Sequence, residues 1–535
     1  MYSSPVDLCP GNPRHGSAIL NGFFAVLDET GERYQKSWAA PQDLFSDDEY
    51  FSSYLCRFTW LRDLKATGDM SARRLARRLI EHWGEQKLYV KTRKKLKHNE
   101  YFISAERVSN FILLYDFFGA SADDSFKRVF FKNIQLEYRN LKGKLLRCSS
   151  AQISILQALI AFNVYCDYDA KFFDILLTHL LAQVHALLDE FRRYVPINQV
   201  YRNLSTMICI RNALIQWEKS FRQPRSILTQ YQATFSQVQE YLLLAMQFVR
   251  FFRHSNGNLC RITQQDALCF FEPISSSEID TTLSQIEPSE IDTASEFNGI
   301  LRLSNKFSTL FADVQRIPPA PLTIKLAARD APDVSILPNA MKFEWSYQSY
   351  DVVYDTSVAI VPGVTSLPHS LGAWNERTEP NGRAKALHVK SHGTCEYESD
   401  VIDGEGMFCG LVTDNGESYV FRREMTLNKD SLQGTDTFIV DDAISDALLI
   451  LRFGFTLDWS VVEIKHEDQS LFGEVVLARV VKRSKVSCVL KIEAEQLFEI
   501  NVSIGDNRLD VLLVAPLSSG IPDNVKWELR ISRFH

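Results

Sequence analysis

Arg316-Ile317-Pro318-Pro319-Ala320-Pro321-Leu322-Thr323-Ile324-Lys325-Leu326 is where this chain changes its pattern. Before it, apolar residues recur at helical spacing for almost three hundred residues. After it, short β-rich runs alternate with turn residues to the C-terminus. The three prolines cannot continue a helix. A long helical half followed by a long strand half predicts two domains, each with its own core.

Working outward to the N-terminal side, residues 1–50 read as an irregular segment rich in Pro and Gly. Residues 51–90 predict two helices, the first carrying Tyr54, Leu55, Phe58, Trp60 and Leu61, the second opening at Ser71 with Asp69 or Ser71 as cap. Further helices are expected over 103–145, 150–165, 169–193, 203–222 and 225–253. Such a succession of long helices joined by short turns predicts an α/α toroid or a large bundle over 51–318. Residues 273–296 are acidic and Ser/Thr-rich, and echo themselves in Ser277-Glu278-Ile279-Asp280-Thr281 and Ser289-Glu290-Ile291-Asp292-Thr293. They read as a mobile surface loop. A last helix is expected over 297–316.

Beyond Leu322, strands are expected at Met341–Trp345, Ser357–Val361, Ala386–Lys390, Tyr419–Leu427, Ala447–Phe455, Val475–Val481, Val486–Ile492 and Arg508–Val514. Asp403-Gly404 and Asn415-Gly416 punctuate them. The fold class is therefore α+β, with an antiparallel β-sandwich over 322–535.

At roughly 100–200 residues per domain, 535 residues hold two to four domains. The net charge of -7 argues against nucleic acid as a partner, since phosphate binding needs a basic surface. One basic run, Lys91-Thr92-Arg93-Lys94-Lys95-Leu96-Lys97-His98, reads as a solvated loop or a landing strip for a polyanion. Ten cysteines are scattered without a CxxC pair, the pattern of buried thiols in a reducing compartment. No secretory signal is expected, because the N-terminus lacks a basic segment followed by an apolar one. No transmembrane segment is expected either. The closest run, Leu176 to Leu188, is interrupted by His179, Gln183 and His185. Phosphate-loop, dinucleotide, HExxH and Gly-x-Ser-x-Gly motifs are all missing.

Several segments carry a resemblance. Pro10-Gly11-Asn12-Pro13 with Gly16, Ile19-Leu20 and Gly22-Phe23, then Phe58-Thr59-Trp60-Leu61-Arg62-Asp63-Leu64, resemble the opening of bacterial heparinase II/III-like proteins. So do Phe252-Arg253-His254-Ser255-Asn256-Gly257 and Leu432-Gln433-Gly434-Thr435-Asp436, in the right order along nearly the whole chain. The resemblance implies an incomplete α/α toroid, a C-terminal antiparallel β-sandwich and a cell-envelope or periplasmic setting. The absence of a visible signal leaves the cytoplasm as the alternative. It also implies a polysaccharide lyase acting on uronate-containing glycans by β-elimination. One group neutralises the uronate carboxylate, a base removes the C5 proton, and an acid, often a Tyr, protonates the leaving oxygen.

Several departures accompany these matches. The family's central Pro-Asp-Gly-Gly-His-x-x-Arg-(Asn/Ser)-Pro stretch corresponds here to Pro196-Ile197-Asn198-Gln199-Val200-Tyr201-Arg202-Asn203-Leu204. Gln199 stands at the His position. Its amide can neutralise a carboxylate, but it cannot act as a base. The catalytic candidates are then Gln199 with His254, Tyr201 or Tyr241. His254 also suits a bland role as a helix C-terminal residue favoured by the macrodipole. Arg202 and Asn203, with Arg383 and His388 in the sandwich, are candidates for substrate binding. The family commonly holds a structural metal in its sandwich. Here Phe421 replaces one histidine, and Arg452-Phe453-Gly454-Phe455-Thr456 lacks two more. With His388 nearly alone, and only His392 and Asp400 to compensate, neither zinc nor calcium is expected at that place. The alternative function is a catalytically degenerate member whose groove binds a glycan or a protein without cutting. A scaffold unrelated to glycans, with an exposed apolar patch on the toroid rim, forms a third class.

Overall fold

The structure is a computed structural model. It describes residues 7, 11–27, 33–37, 54–85, 100–145, 153–191, 197–220, 225–254, 256–260, 276–284, 294–297, 300–304, 307–313, 322–325, 333–336, 343–348, 350–362, 396–402, 405–414, 419–440, 447–456, 458–466, 471–481, 484–504, 508–517 and 523–534. The chain divides into two compact units. One comprises Met1–Val249 with Asp266–Ser289, the other Arg250–Gln265 with Glu290–His535.

The first unit opens with helix α1 (Pro13–Leu20) and a hairpin of β1 (Phe23–Leu27) and β2 (Arg33–Ser37). The expectation of an irregular segment is thereby corrected. Pro13 supplies the preset φ of a first helical position, and the Asn12 side chain accepts from the Arg14 and His15 N–H groups at 3.0 and 3.3 Å. Residues 54–57 form one helical turn before α2 (Leu61–Ala66). The single helix expected from Phe51 to Lys65 is interrupted because Phe58 adopts φ 60°. A non-glycine residue in this region is strained, and it persists where packing over-determines it. Phe58 is fully buried, with its ring 4.7 Å from Phe111, 5.1 Å from Trp60 and 5.7 Å from Trp83.

Then follow α3 (Met70–Glu85), α4 (Glu100–Leu113), α5 (Tyr115–Phe118), α6 (Asp124–Leu145), α7 (Ile153–Tyr165), α8 (Ala170–Glu190), α9 (Ile197–Ser220), α10 (Arg225–Phe251) and α11 (Ser276–Leu283). Local caps set several starts. Asp123 accepts from the Phe126 N–H at 2.8 Å and Asp169 from the Phe172 N–H at 3.2 Å. Helix α7 is apolar all round, with Ile155, Leu156, Leu159, Ile160 and Val164 buried on every side, and it packs against α4, α6, α8 and α9. A helix of that composition belongs at the centre of a helical core. Among the described helices, only α8 is long and apolar enough to cross a membrane, at mean hydropathy 1.3. Its Phe173, Leu177, Leu180 and Val184 recur at helical spacing and are fully buried, so one face of the helix packs into the core.

The second unit is built on two antiparallel sheets. Its strands are β3 (Ala294–Phe297), β4 (Ile300–Ser304), β5 (Ser308–Asp313), β6 (Leu322–Lys325), β7 (Asp333–Ile336), β8 (Phe343–Tyr347), β9 (Tyr350–Pro362), β10 (Glu396–Ile402), β11 (Glu405–Asp414), β12 (Tyr419–Leu427), β13 (Ser431–Val440), β14 (Ala447–Thr456), β15 (Ser460–His466), β16 (Phe472–Val481), β17 (Ser484–Ala494), β18 (Glu499–Ile504), β19 (Arg508–Leu517) and β20 (Asp523–Phe534). One sheet runs β10-β11-β12-β13-β20-β17-β16-β15. The other runs β18-β19-β14-β9-β8-β5-β4-β3, with β7 also beside β9 and β6 beside β7. Both sheets give residues to one core, including Leu310, Trp345 and Leu451 from one and Met425, Leu490 and Leu529 from the other. Phe343 stacks on Trp527 across it, 5.1 Å between ring centres. This is a face-to-face sandwich.

Two expectations are corrected here. The stretch 297–316 is not a helix, because it supplies β4 and β5 to the sandwich. Asn298-Gly299 lies between the paired residues Phe297 and Ile300, the spacing of a two-residue hairpin. The segment 273–296 is not one loop, since it includes α11 and β3. The strand unit therefore begins well before Leu322. The strand expected at Ala386–Lys390 lies outside the described residues.

Candidate functional site

Two motifs that are fifty residues apart meet inside the helical unit. Asp63 of α2 takes the Asn12 N–H at 2.6 Å and lies 2.7 Å from His15 Nδ1. Arg62 Nε donates to both Asp7 carboxylate oxygens at 3.0 and 3.1 Å. Gly11 has φ +71°, and a Cβ there would sit 2.3 Å from the Arg62 carbonyl oxygen. A Cβ on Gly16 would sit 2.1 Å from the Asp63 carbonyl oxygen. The Pro10–Phe23 and Phe58–Leu64 motifs are thus two halves of one backbone contact, which explains their residue types without any chemistry.

The stretch expected to carry catalysis begins α9. Gln199 is exposed in its first turn. Arg202, one turn on and on the same side of the helix, is half-buried, as is Asn203. Tyr201 points the other way. It is 1% exposed, and its hydroxyl is 3.0 Å from Thr282 Oγ1 of α11. Near Arg202 lies Glu106, which pairs with Arg57 at 3.4 Å. Burial pushes the Glu106 carboxyl up, and the positive charges of Arg57, Arg202 and Arg62 oppose that shift. Tyr241 of α10 is also 1% exposed, packed 5.6 Å from the Phe191 ring. Tyr201 and Tyr241 therefore sit in the core, where neither hydroxyl meets solvent-borne substrate.

His254 belongs to the strand unit. The chain leaves α10 and turns back on itself, with Arg253 bridged to Leu259, the His254 N–H donating to the Asn258 carbonyl at 2.8 Å and the Cys260 N–H to the Phe252 carbonyl at 2.8 Å. Gly257 takes φ 88° at the turn. Asn256 and Asn258 both donate to the Asp351 carboxylate, the latter at 3.0 Å. His254 is buried, with Nδ1 3.0 Å from Ser346 Oγ and Nε2 2.9 Å from Glu344 Oε2. Both partners come from β8. A hydroxyl, an imidazole and a carboxylate in series is the order of a nucleophilic triad. Ser346 is fully buried, however, so no substrate atom reaches it.

In the sandwich, Leu432-Gln433-Gly434-Thr435-Asp436 lies on β13. Arg423 of β12 donates to Asp436 through Nε at 2.6 Å and a terminal nitrogen at 2.8 Å, and Trp527 Nε1 donates to the same carboxylate at 3.1 Å. Arg423 and Asp436 are both fully buried. A Cβ on Gly434 would be 2.1 Å from the Trp527 ring. This motif is a structural lock that joins three strands, β12, β13 and β20. Arg383 and His388 lie outside the described residues, as does the basic run 91–98.

The structure thus gathers Gln199, Tyr201, Arg202 and Asn203 at one helix start of the helical unit, and seats His254 in a buried cluster of the strand unit. Sequence reading missed Glu344, Ser346 and Cys260 as partners of His254. A signal was available in Phe343-Glu344-Trp345-Ser346-Tyr347, where polar residues two apart interrupt a strand that is buried throughout.

No family model matches the chain. No curated protein matches it either. Among solved structures, it is similar to a mutant of the heparan sulfate lyase HepC from Pedobacter heparinus, at 11% identity and TM-score 0.47, over 98% of this chain and 83% of that one. It is also similar to a heparinase III, the BT4657 gene product, at 10% identity and TM-score 0.45, over 98% and 84%. A third similar structure is the chondroitin AC lyase of Streptomyces coelicolor A3 in complex with chondroitin sulphate, at 8% identity and TM-score 0.39, over 97% and 78%. Its structural neighbours thus include heparan sulfate lyases and a chondroitin AC lyase.

Proposed function

We propose that this protein is a heparinase II/III-like relative of the polysaccharide lyases that binds a uronate-containing, acidic glycan and does not cut it. The incomplete α/α toroid, the cell-envelope setting and the glycan partner are parts of this reading. The observation that carries it is the split in burial among the catalytic candidates. Gln199 is exposed, whereas Tyr201, Tyr241 and His254 are sealed in cores. Recognition needs the first and elimination needs one of the others. Gln199 presents an amide N–H at a helix start, where backbone dipoles also favour an anion, and Arg202 adds a positive charge on the same side. That set suits a uronate carboxylate. Removal of the C5 proton needs a base in contact with the sugar, and an amide cannot supply it.

Active β-elimination is the second reading, supported by the same exposed Gln199 standing where the family's motif places its carboxylate-neutralising group. One experiment separates the two. The purified chain is incubated with a panel of uronate-containing polysaccharides while near-ultraviolet absorbance is followed, since elimination creates a conjugated uronate. Binding to each polysaccharide is measured by calorimetry in parallel. A flat absorbance with saturable binding that Gln199→Ala weakens at least tenfold is expected. A rising absorbance establishes the lyase instead, and no binding by any acidic glycan overturns both readings.

A further inference from the structure

We propose that His254, Cys260 and Glu344 form a structural site for a divalent transition metal, of which zinc fits best. Their ligand atoms all lie within 4.8 Å of one another, and all three residues are buried. The chain geometry builds the cluster. The Arg253–Leu259 bridge places His254 and Cys260 on the two arms of one tight return, and Glu344 reaches them from β8. In a tetrahedral zinc site with bonds of about 2.0 Å to nitrogen or oxygen and about 2.3 Å to sulfur, ligand atoms stand about 3.3–3.6 Å apart. The widest pair here closes to that distance by about 1 Å of side-chain movement.

Three further features point to a ligand. Glu344 is 2% exposed, and its Oε1 has no hydrogen-bond partner among the described residues. A buried carboxylate oxygen without a partner is costly, and a cation removes the cost. Ser346 Oγ sits 3.0 Å from His254 Nδ1. With Nδ1–H donating to that hydroxyl, the Nε2 lone pair is left to ligate, the outer contact that orients metal-binding histidines. Finally, thiolate and carboxylate together carry two negative charges, which neutralise one divalent ion. Thiolate with imidazole selects zinc over magnesium or calcium. Binding releases to solvent the thiol proton and the proton held between His254 Nε2 and Glu344 Oε2, and replaces that contact with two metal bonds. The proposal is independent of whether the protein binds or cuts glycans.

The test uses the full chain, freed of metal by a chelator and titrated with cobalt(II). One equivalent should bind with a thiolate-to-cobalt charge-transfer band in the near ultraviolet. Cys260→Ser should abolish that band, and Glu344→Gln should weaken cobalt binding at least tenfold. Far-ultraviolet circular dichroism checks that each variant is folded. If Cys260→Ser fails to fold, X-ray absorption at the zinc edge of the wild-type protein decides, with one sulfur among nitrogen and oxygen neighbours expected. Overturning results are a folded protein that shows no band, a band that survives Cys260→Ser, or a zinc shell without sulfur.

Discussion

At the scale of single residues, the strongest determinants are buried charges that are fully matched. Asp436 receives two bonds from Arg423 and one from Trp527, while the Arg423 guanidinium lies over the Phe343 ring at 5.3 Å. Removing one partner of such a pair strands the other charge in the core, which costs about 3–5 kcal/mol. Asp436→Ala should lower the unfolding free energy measured by denaturant titration by that amount; a loss under about 1 kcal/mol, the range of an exposed pair, would refute the role. The thiols carry a second consequence. Burial pushes Cys166 and Cys209 each up to about 12. An unfolded thiol ionises near about 8.5. Below that pH both states hold the proton and the full stability is present. Above it the unfolded chain loses protons that the folded chain keeps, so stability falls with rising pH until the folded thiols ionise near about 12. Chemical denaturation between pH of about 8.5 and about 10 should show this decline, and Cys166→Ala with Cys209→Ala should flatten it; an unchanged slope counts against it. Little of this was legible beforehand. Leu432–Asp436 stood out as a motif, but nothing in the string says that Arg423 and Trp527 converge on it from two other strands.

Elements show which sequence signals were sufficient. The helices α6 to α10 were readable from their long apolar periodicity, and Asp123 and Asp169 cap two of them, α6 and α8. Asp403-Gly404 was readable as a turn, and the structure pairs Ile402 with Glu405 on either side of it, but neither β10 nor β11 was among the strands expected. The stretch 297–316 failed because its apolar residues, Ile300, Leu301, Leu303, Leu310, Phe311 and Ala312, fit either period, and only pairing with β8 decides between them. Contact between α1 and α2 makes a sharper case. Gly16 lies against the Asp63 backbone, so a Cβ there meets a carbonyl oxygen at 2.1 Å and Thr67 Cγ2 at 2.6 Å. Backbone cannot rotate aside as a side chain can. Gly16→Ala, normally favourable within a helix, should therefore destabilise by about 1–3 kcal/mol, and should speed amide exchange in α1 more than in α7. A stabilising effect of the usual helix-propensity size, near 1 kcal/mol, would show that the two helices do not meet this closely.

For the whole molecule, the sequence made the two-unit character plain but misplaced the seam. Prolines 318, 319 and 321 look like a domain junction, yet they lie within one unit, because β3, β4 and β5 precede them and complete its sheet. Proline marks an end of regular structure and says nothing of which core the next element joins. This has a measurable consequence. A fragment of residues 322–535 leaves the β5-facing edge of β8 unpaired, where Leu310 opposes Trp345 and Ala312 opposes Phe343. It also removes Leu301, Leu303 and Leu310 from the shared core. Three buried leucines at about 1.5–3 kcal/mol each approach the entire stability of an ordinary domain, about 5–15 kcal/mol. An open apolar edge adds a template for aggregation. A fragment of residues 250–535 keeps all of these residues, together with the return that carries His254 and Cys260. Thermal unfolding followed by circular dichroism should be cooperative for 250–535, whereas 322–535 should aggregate or melt without a transition. Equal cooperativity in the two fragments would mean that the strands before the prolines are dispensable, and that the junction read from the sequence is the true one.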